Sequence, residues 1–170
     1  MKPSDQKTNE FIESYDLYAD GVFRYCFFKL SNREAAKDIV QETFVKTWQY
    51  IHEGKDIGNL KAFLYKVARN LVIDEYRKHK TSSLDSLQED GFDVTDKEDM
   101  TVSTEVSIIL EAIDKLEPHH REVIVMRFVH DLSPREIADI LGEKENAISI
   151  RLNRAVKKAQ EILQIDKNNQ

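Results

Sequence analysis

One cysteine, three prolines and five glycines in 170 residues leave little room for several classes of protein. A lone Cys26 cannot close an intramolecular disulfide or supply a thiolate zinc site, which fits a reducing compartment. The scarcity of Pro and Gly argues for long helices. Apolar runs stop at four residues, as in Val123–Met126, far short of a bilayer span. The N-terminus is polar and has no apolar stretch ahead of a small-residue cleavage site, so a cytoplasmic location without membrane insertion is the expectation. There is no glycine-rich phosphate loop. The five histidines, His52, His79, His119, His120 and His130, include no i, i+4 pair, so no metal, cofactor or enzymatic chemistry is expected. Asp74-Glu75 or Asp38/Glu42 as an acid–base pair has no pocket-forming context in the sequence.

What is present is charge, 33% of residues, and enough apolar material (41%, with eight Phe, six Tyr and one Trp) for one ordinary core or two small ones. The net charge of −6 is unevenly placed. Residues 1–80 hold 14 basic and 12 acidic groups, residues 81–104 hold 1 and 7, and residues 105–170 hold 10 and 12. The middle stretch combines acids with Ser, Thr and Gly and lacks helical periodicity, so it reads as a flexible acidic linker. Two helical domains, 10–80 and 105–165, flank it. Each carries a basic patch: Lys61 to Lys80 has six bases and two acids, and Lys144 to Lys158 has five bases and one acid.

Apolar positions recur at spacings of three and four rather than two, which predicts an all-α fold. Phe11 to Leu30 is expected as one helix or a pair broken near Asp20-Gly21. Arg33 to Ile51 should bury Ala36, Val40, Phe44, Thr47, Trp48 and Ile51 and expose Asp38, Gln41, Glu42, Val45 and Gln49. After a loop at 52–59, a helix from Leu60 to Lys80 places Leu60, Phe63, Leu64, Val67, Ala68 and Leu71 on one face, with Tyr65, Lys66, Arg69, Ile73, Tyr76 and Lys80 opposite. Further helices follow at Glu105–Leu116 and at Pro118–Val129. Ser133-Pro134-Arg135-Glu136 has the form of a capping box with proline in the first helical position, and Gly142 supplies a helix stop. A last helix from Glu145 to Leu163 completes a helix-turn-helix pattern. It buries Ile148, Leu152, Ala155, Ala159 and Ile162 and shows Asn146, Ser149, Ile150, Asn153, Arg154 and Lys157 outward.

The chemistry of these faces suits nucleic acid. A second helix-turn-helix helix fits the major groove, where Asn can pair with adenine and Arg with guanine, while Arg151, Arg154, Lys157 and Lys158 hold phosphates. On the helix from Leu60, Lys61, Lys66, Arg69, Arg77, Lys78 and Lys80, interleaved with Tyr65 and Tyr76, pair cations for phosphates with rings for unstacked bases. Solvated basic faces on a helical bundle are the plain alternative. Asp38 and Glu42 are like charges one turn apart, extended by Gln41, and invite a basic partner.

Three segments, in this order and with an acidic tether after the second, carry a resemblance. They are Ala36-Lys-Asp-Ile-Val-Gln-Glu-Thr-Phe-Val-Lys-Thr-Trp48, Asn59-Leu-Lys-Ala-Phe-Leu-Tyr-Lys-Val-Ala-Arg-Asn-Leu-Val-Ile-Asp74, and Leu116-Glu-Pro-His-His-Arg-Glu-Val-Ile-Val-Met-Arg-Phe128 with the helix-turn-helix. Over about Phe11 to Leu163 the chain resembles the extracytoplasmic-function (ECF) sigma factors, the minimal promoter-specificity subunits of bacterial RNA polymerase in the sigma-70 family. The resemblance implies a region 2 domain and a region 4 domain. It implies that Asp38, Gln41 and Glu42 dock on the β′ clamp helices of core polymerase. Lys61, Tyr65, Lys66, Arg69, Asn70, Tyr76, Arg77 and Lys80 would then hold the single-stranded downstream promoter element, with the loop Gly54 to Asn59 receiving a flipped base.

By the same resemblance Asn146, Ser149, Ile150, Arg151, Asn153, Arg154, Lys157 and Lys158 read the double-stranded upstream element, and the helix-turn-helix docks on the β flap. An anti-sigma factor joins the candidate partners. The chain departs from the family's usual pattern at Glu143, Ala147, Ser149 and Ile150, so the scaffold is kept while the reading face is altered. The rival readings are a self-sufficient helix-turn-helix regulator, which would bind duplex DNA alone as a symmetric dimer, and a pure protein-interaction module, which would leave both basic patches without a role.

Overall fold

The computed structural model describes residues 3–82 and 103–168, and these divide into two compact units. The first contains α1 (Pro3–Leu30), α2 (Arg33–His52) and α3 (Leu60–Ser82). The second contains α4 (Thr104–Asp114), α5 (Pro118–Ile124), a π-helical turn at Val125–Val129, α6 (Pro134–Leu141) and α7 (Glu145–Asn168). No strand occurs among the described residues. The expected linker at 81–104 lies outside them, apart from its ends, where α3 runs on to Ser82 and α4 begins at Thr104.

In the first unit each helix packs against both others, so a single core is shared three ways. Val22, Tyr25 and Cys26 of α1 meet Ala36, Ile39, Val40 and Phe44 of α2 and Leu64, Ala68 and Val72 of α3. Burial pushes the Cys26 thiol up to about 12, which leaves it an inert packing group. Thr43 and Thr47 are buried on α2 because their hydroxyls donate to the carbonyls of Ile39 and Thr43, both at 2.7 Å, so no polar atom is stranded. The ring of Phe11 lies 5.1 Å from Trp48 and 6.0 Å from Phe44, closing the open end of the bundle.

The break expected near Asp20-Gly21 does not occur, and α1 is one helix of 28 residues. Glycine inside a helix costs about 1 kcal/mol relative to alanine. Here the missing side chain is occupied: a Cβ at Gly21 would stand 2.7 Å from the hydroxyl oxygen of Tyr65 on α3. The glycine therefore serves close helix packing rather than a turn. α1 ends where Ser31 takes a left-handed conformation (φ 49°), and Asn32 starts α2 by accepting the Ala35 N–H at 3.0 Å.

The second unit starts with Ser103 capping α4, whose Ala112 is buried, and Pro118 at the first position of α5. The helix expected over Pro118–Val129 is present, but its last five residues wind as a π turn, with the His130 N–H reaching the Val125 carbonyl at 3.2 Å. This wider turn buries Val125 and Met126 beside Val123, Ile124 and Leu132 and leaves Phe128 and Val129 exposed. α6 opens with the expected capping box. The Ser133 N–H donates to Glu136 Oε2 at 2.7 Å and the Glu136 N–H to Ser133 Oγ at 3.2 Å. It closes at Gly142, whose φ of 69° and ψ of 33° are left-handed. α7 then seats Ile148, Leu152 and Ala155 against α5 and α6.

Candidate nucleic-acid interface

On α2, Asp38, Gln41 and Glu42 all lie on the exposed face, opposite the buried threonines. Glu42 is within 3.3 Å of Lys46, an exposed i, i+4 pair worth only a few tenths of a kcal/mol. Between α2 and α3 an open groove is lined by Ile39, Glu42, Lys46, Leu71, Asp74, Glu75 and Lys78, so the acidic face continues across a shallow apolar floor.

On α3 the expected face divides. Lys66, Asn70, Arg77 and Lys80 are exposed and recur at helical spacing along one stripe; Arg69 is half-buried at its edge, and Lys61, also half-buried, lies in the first turn on the side of Tyr65 and away from the stripe. Tyr65, expected as a stacking platform, is instead 3% exposed. Its ring stands edge-on to Tyr25 with centroids 5.6 Å apart, and burial raises its phenol to about 12. The correction has a simple cause. A helix gripped by two neighbours buries a wider arc than one amphipathic stripe, and α3 packs on α1 as well as α2. Tyr76 keeps a partly exposed ring, but its hydroxyl donates to the Lys29 carbonyl, so it also braces α3 against the end of α1. Asn59 caps α3 by accepting the Ala62 N–H at 2.9 Å. In the loop before it, Gly54 has a φ of 79°, and Lys55 lies 2.6 Å from Glu53 and 4.8 Å above the Tyr50 ring. The hydrogen bond to Glu53, and then its charge, hold the Lys55 ammonium above its ordinary value.

On α7, Asn146, Ile150, Asn153, Arg154 and Lys157 are exposed at positions that share one face, and Ser149 borders it half-buried. Two cations assigned to phosphates have partners within the protein. Arg151 makes two hydrogen bonds to Glu143, one of 3.0 Å, and braces the turn between α6 and α7. Lys158 lies 3.5 Å from Glu117 at the start of α5. The Glu143–Arg151 pair spans eight positions across a turn, so no local periodicity announces it. Glu143 thus acts on the helix-turn-helix scaffold. Among the described residues Glu117, His119 and His120 also converge, a grouping that a search for i, i+4 ligand pairs passes over.

Comparisons with known proteins bear on both units. Residues 15–81 match the model of Sigma-70 region 2, and residues 107–158 match that of Sigma-70, region 4. The chain is 31% identical over 166 residues to the ECF RNA polymerase sigma factor SigW of Bacillus subtilis, covering 91% of this chain and 88% of SigW.

The chain belongs to the ECF sigma factor family.

The ECF RNA polymerase sigma factor BldN of Streptomyces coelicolor is 28% identical over 168 residues, and the alignment covers 94% of this chain and 62% of BldN. Among solved structures, the sigma factor RpoE of Bartonella quintana, crystallised with the anti-sigma factor NepR, aligns with a TM-score of 0.72 and 26% identity over 92% of this chain and 98% of RpoE. The region 2 match spans the acidic face of α2 and the basic stripe of α3, and the region 4 match runs from α4 through Lys158 of α7. No helix among the described residues is long and apolar enough to cross a membrane.

Proposed function

We infer that this chain is a promoter-specificity subunit, directing core RNA polymerase to particular promoters and helping to open them. The observation that carries the reading is the presence of region 2 and region 4 matches in one chain, each with an exposed polar helix face of the kind its role needs. The domains extend over 10–80 and 105–165, with 81–104 as the tether. Asp38, Gln41 and Glu42 dock on the β′ clamp helices, whose basic groups relieve the repulsion between the two carboxylates.

Lys66, Asn70, Arg77 and Lys80 track the opened downstream strand, with Arg69 at its margin, Lys61 reaching from the first turn of α3 and the ring of Tyr76 as the remaining stacking surface. Base stacking yields about 1–3 kcal/mol per base, comparable to the cost of extruding one, so binding alone can trap the open state. On α7, Asn146, Ser149, Ile150 and Asn153 face base edges, while Arg154 and Lys157 flank them for phosphates. Phe128, 66% exposed, and Val129 offer an apolar contact for the β flap. The subunit acts in the cytoplasm, has no catalytic chemistry of its own and requires no cofactor. An anti-sigma factor is a natural regulator, as NepR is found with RpoE.

The docking face is tested by Asp38→Lys with Glu42→Lys. Both side chains are exposed, so helical circular dichroism should be unchanged while affinity for purified core polymerase, followed by fluorescence anisotropy of the labelled chain, falls at least tenfold. Unaltered affinity would place docking elsewhere.

A further inference from the structure

Three potential ligand atoms meet at the start of α5. Glu117 precedes the helix, and its side chain makes no capping hydrogen bond. The carboxylate turns instead toward two imidazoles: Oε2 lies 3.4 Å from His119 Nε2 and 3.6 Å from His120 Nδ1. The two rings are 4.1 Å apart, centroid to centroid. A tetrahedral ion with bonds of about 2.0–2.2 Å holds its ligand atoms about 3.3–3.6 Å apart. Both carboxylate–imidazole distances fall in that interval, and the three candidate atoms all lie within 4.8 Å of one another. His120 supplies a second, independent observation. It is 5% exposed, and its Nδ1 is shut off from solvent with no hydrogen-bond partner. A buried, unsatisfied ring nitrogen is costly unless something binds it.

We propose that Glu117, His119 and His120 form a binding site for a divalent transition-metal ion of the zinc class, with the fourth coordination position open to solvent. Two imidazoles and one carboxylate are a donor set suited to zinc and unsuited to magnesium or calcium, which take oxygen ligands. Lys158 of α7 lies 3.5 Å from the other carboxylate oxygen, Oε1, and orients the carboxylate from behind while leaving Oε2 to the ion. Because Lys158 belongs to the recognition helix, the ion sits where the first turn of α5 adjoins α7. The site uses none of the groups proposed to face bases.

The test is titration of the full chain with Zn²⁺ by calorimetry against a weak competing chelator, with Mg²⁺ as the negative probe. Co²⁺ binding, followed by its visible absorption, reports the geometry. The expected result is one Zn²⁺ per chain and no Mg²⁺ uptake. Affinity should be weakened at least tenfold in Glu117→Gln and in His119→Ala, two exposed positions whose replacement leaves helical circular dichroism unchanged. His79→Ala serves as control. His79 and Glu75 form a separate pair on α3, 3.1 Å apart, and this variant should bind as the parent does. No uptake by the parent chain, uptake unchanged in both Glu117→Gln and His119→Ala, or uptake lost only in His79→Ala would overturn the proposal.

Discussion

Replacing Gly21 by alanine tests whether region 2 is held by a close approach between α1 and α3. In a helix interior this exchange ordinarily stabilises by about 1 kcal/mol. Here the new methyl carbon would lie 2.7 Å from the Tyr65 hydroxyl oxygen, well inside contact distance. Tyr65 cannot easily swing away, being 3% exposed and set edge-on against Tyr25, itself 1% exposed. Overpacking of this kind costs about 1–3 kcal/mol, so after the helical gain the balance is a net loss of up to about 2 kcal/mol. In a Tyr65→Phe background the oxygen is gone and the nearest ring atom stands 3.9 Å away, an ordinary contact. There Gly21→Ala should be neutral or stabilising.

Trp48, the one tryptophan of the chain, lies in α2 against Phe11, so its emission during urea unfolding reports region 2 without contribution from region 4. The double-mutant cycle should show a coupling above about 1 kcal/mol. For a domain of this size a loss of about 1 kcal/mol lowers Tm by about 4–8 °C. A stabilising Gly21→Ala in the parent chain, or additivity with Tyr65→Phe, would refute the packing argument.

Other consequences can be checked with standard assays. Arg154→Ala with Lys157→Ala should weaken promoter binding by the polymerase complex and flatten its salt dependence by about 0.9 in log–log slope per lost phosphate contact; an unchanged slope would remove both residues from the DNA. Ser133→Ala should cost region 4 about 1 kcal/mol by opening one side of the capping box, measured by thermal unfolding, while leaving the Trp48 transition where it was.

Region 4 was the more legible half because its signals are local. Ser133-Pro134 with Glu136, and Gly142 eight residues beyond Pro134, each satisfy backbone groups within one turn, so sequence order alone places the start and stop of α6. The exposed acidic face of α2 was equally plain, because that helix shows its polar side in a single arc. What escaped was tertiary. Tyr65 lies on the nominally polar side of α3, yet packing against two partners carries it inward. Gly21 reads as a breaker until Tyr65 is seen to fill its place. The two internal pairs, Glu143 with Arg151 and Glu117 with Lys158, take cations out of the expected DNA set through contacts between helices, which no periodicity encodes. The π turn at Val125–Val129 likewise leaves no mark on the apolar pattern, and within it Phe128 is exposed.

The most direct test of the central claim is transcription in vitro from fragmented genomic DNA with purified bacterial core polymerase, with and without this protein, mapping the new RNA 5′ ends. New starts sharing a two-part motif upstream are the predicted result. No new starts, together with a shift of duplex DNA by the protein alone, would contradict it and favour a self-sufficient regulator.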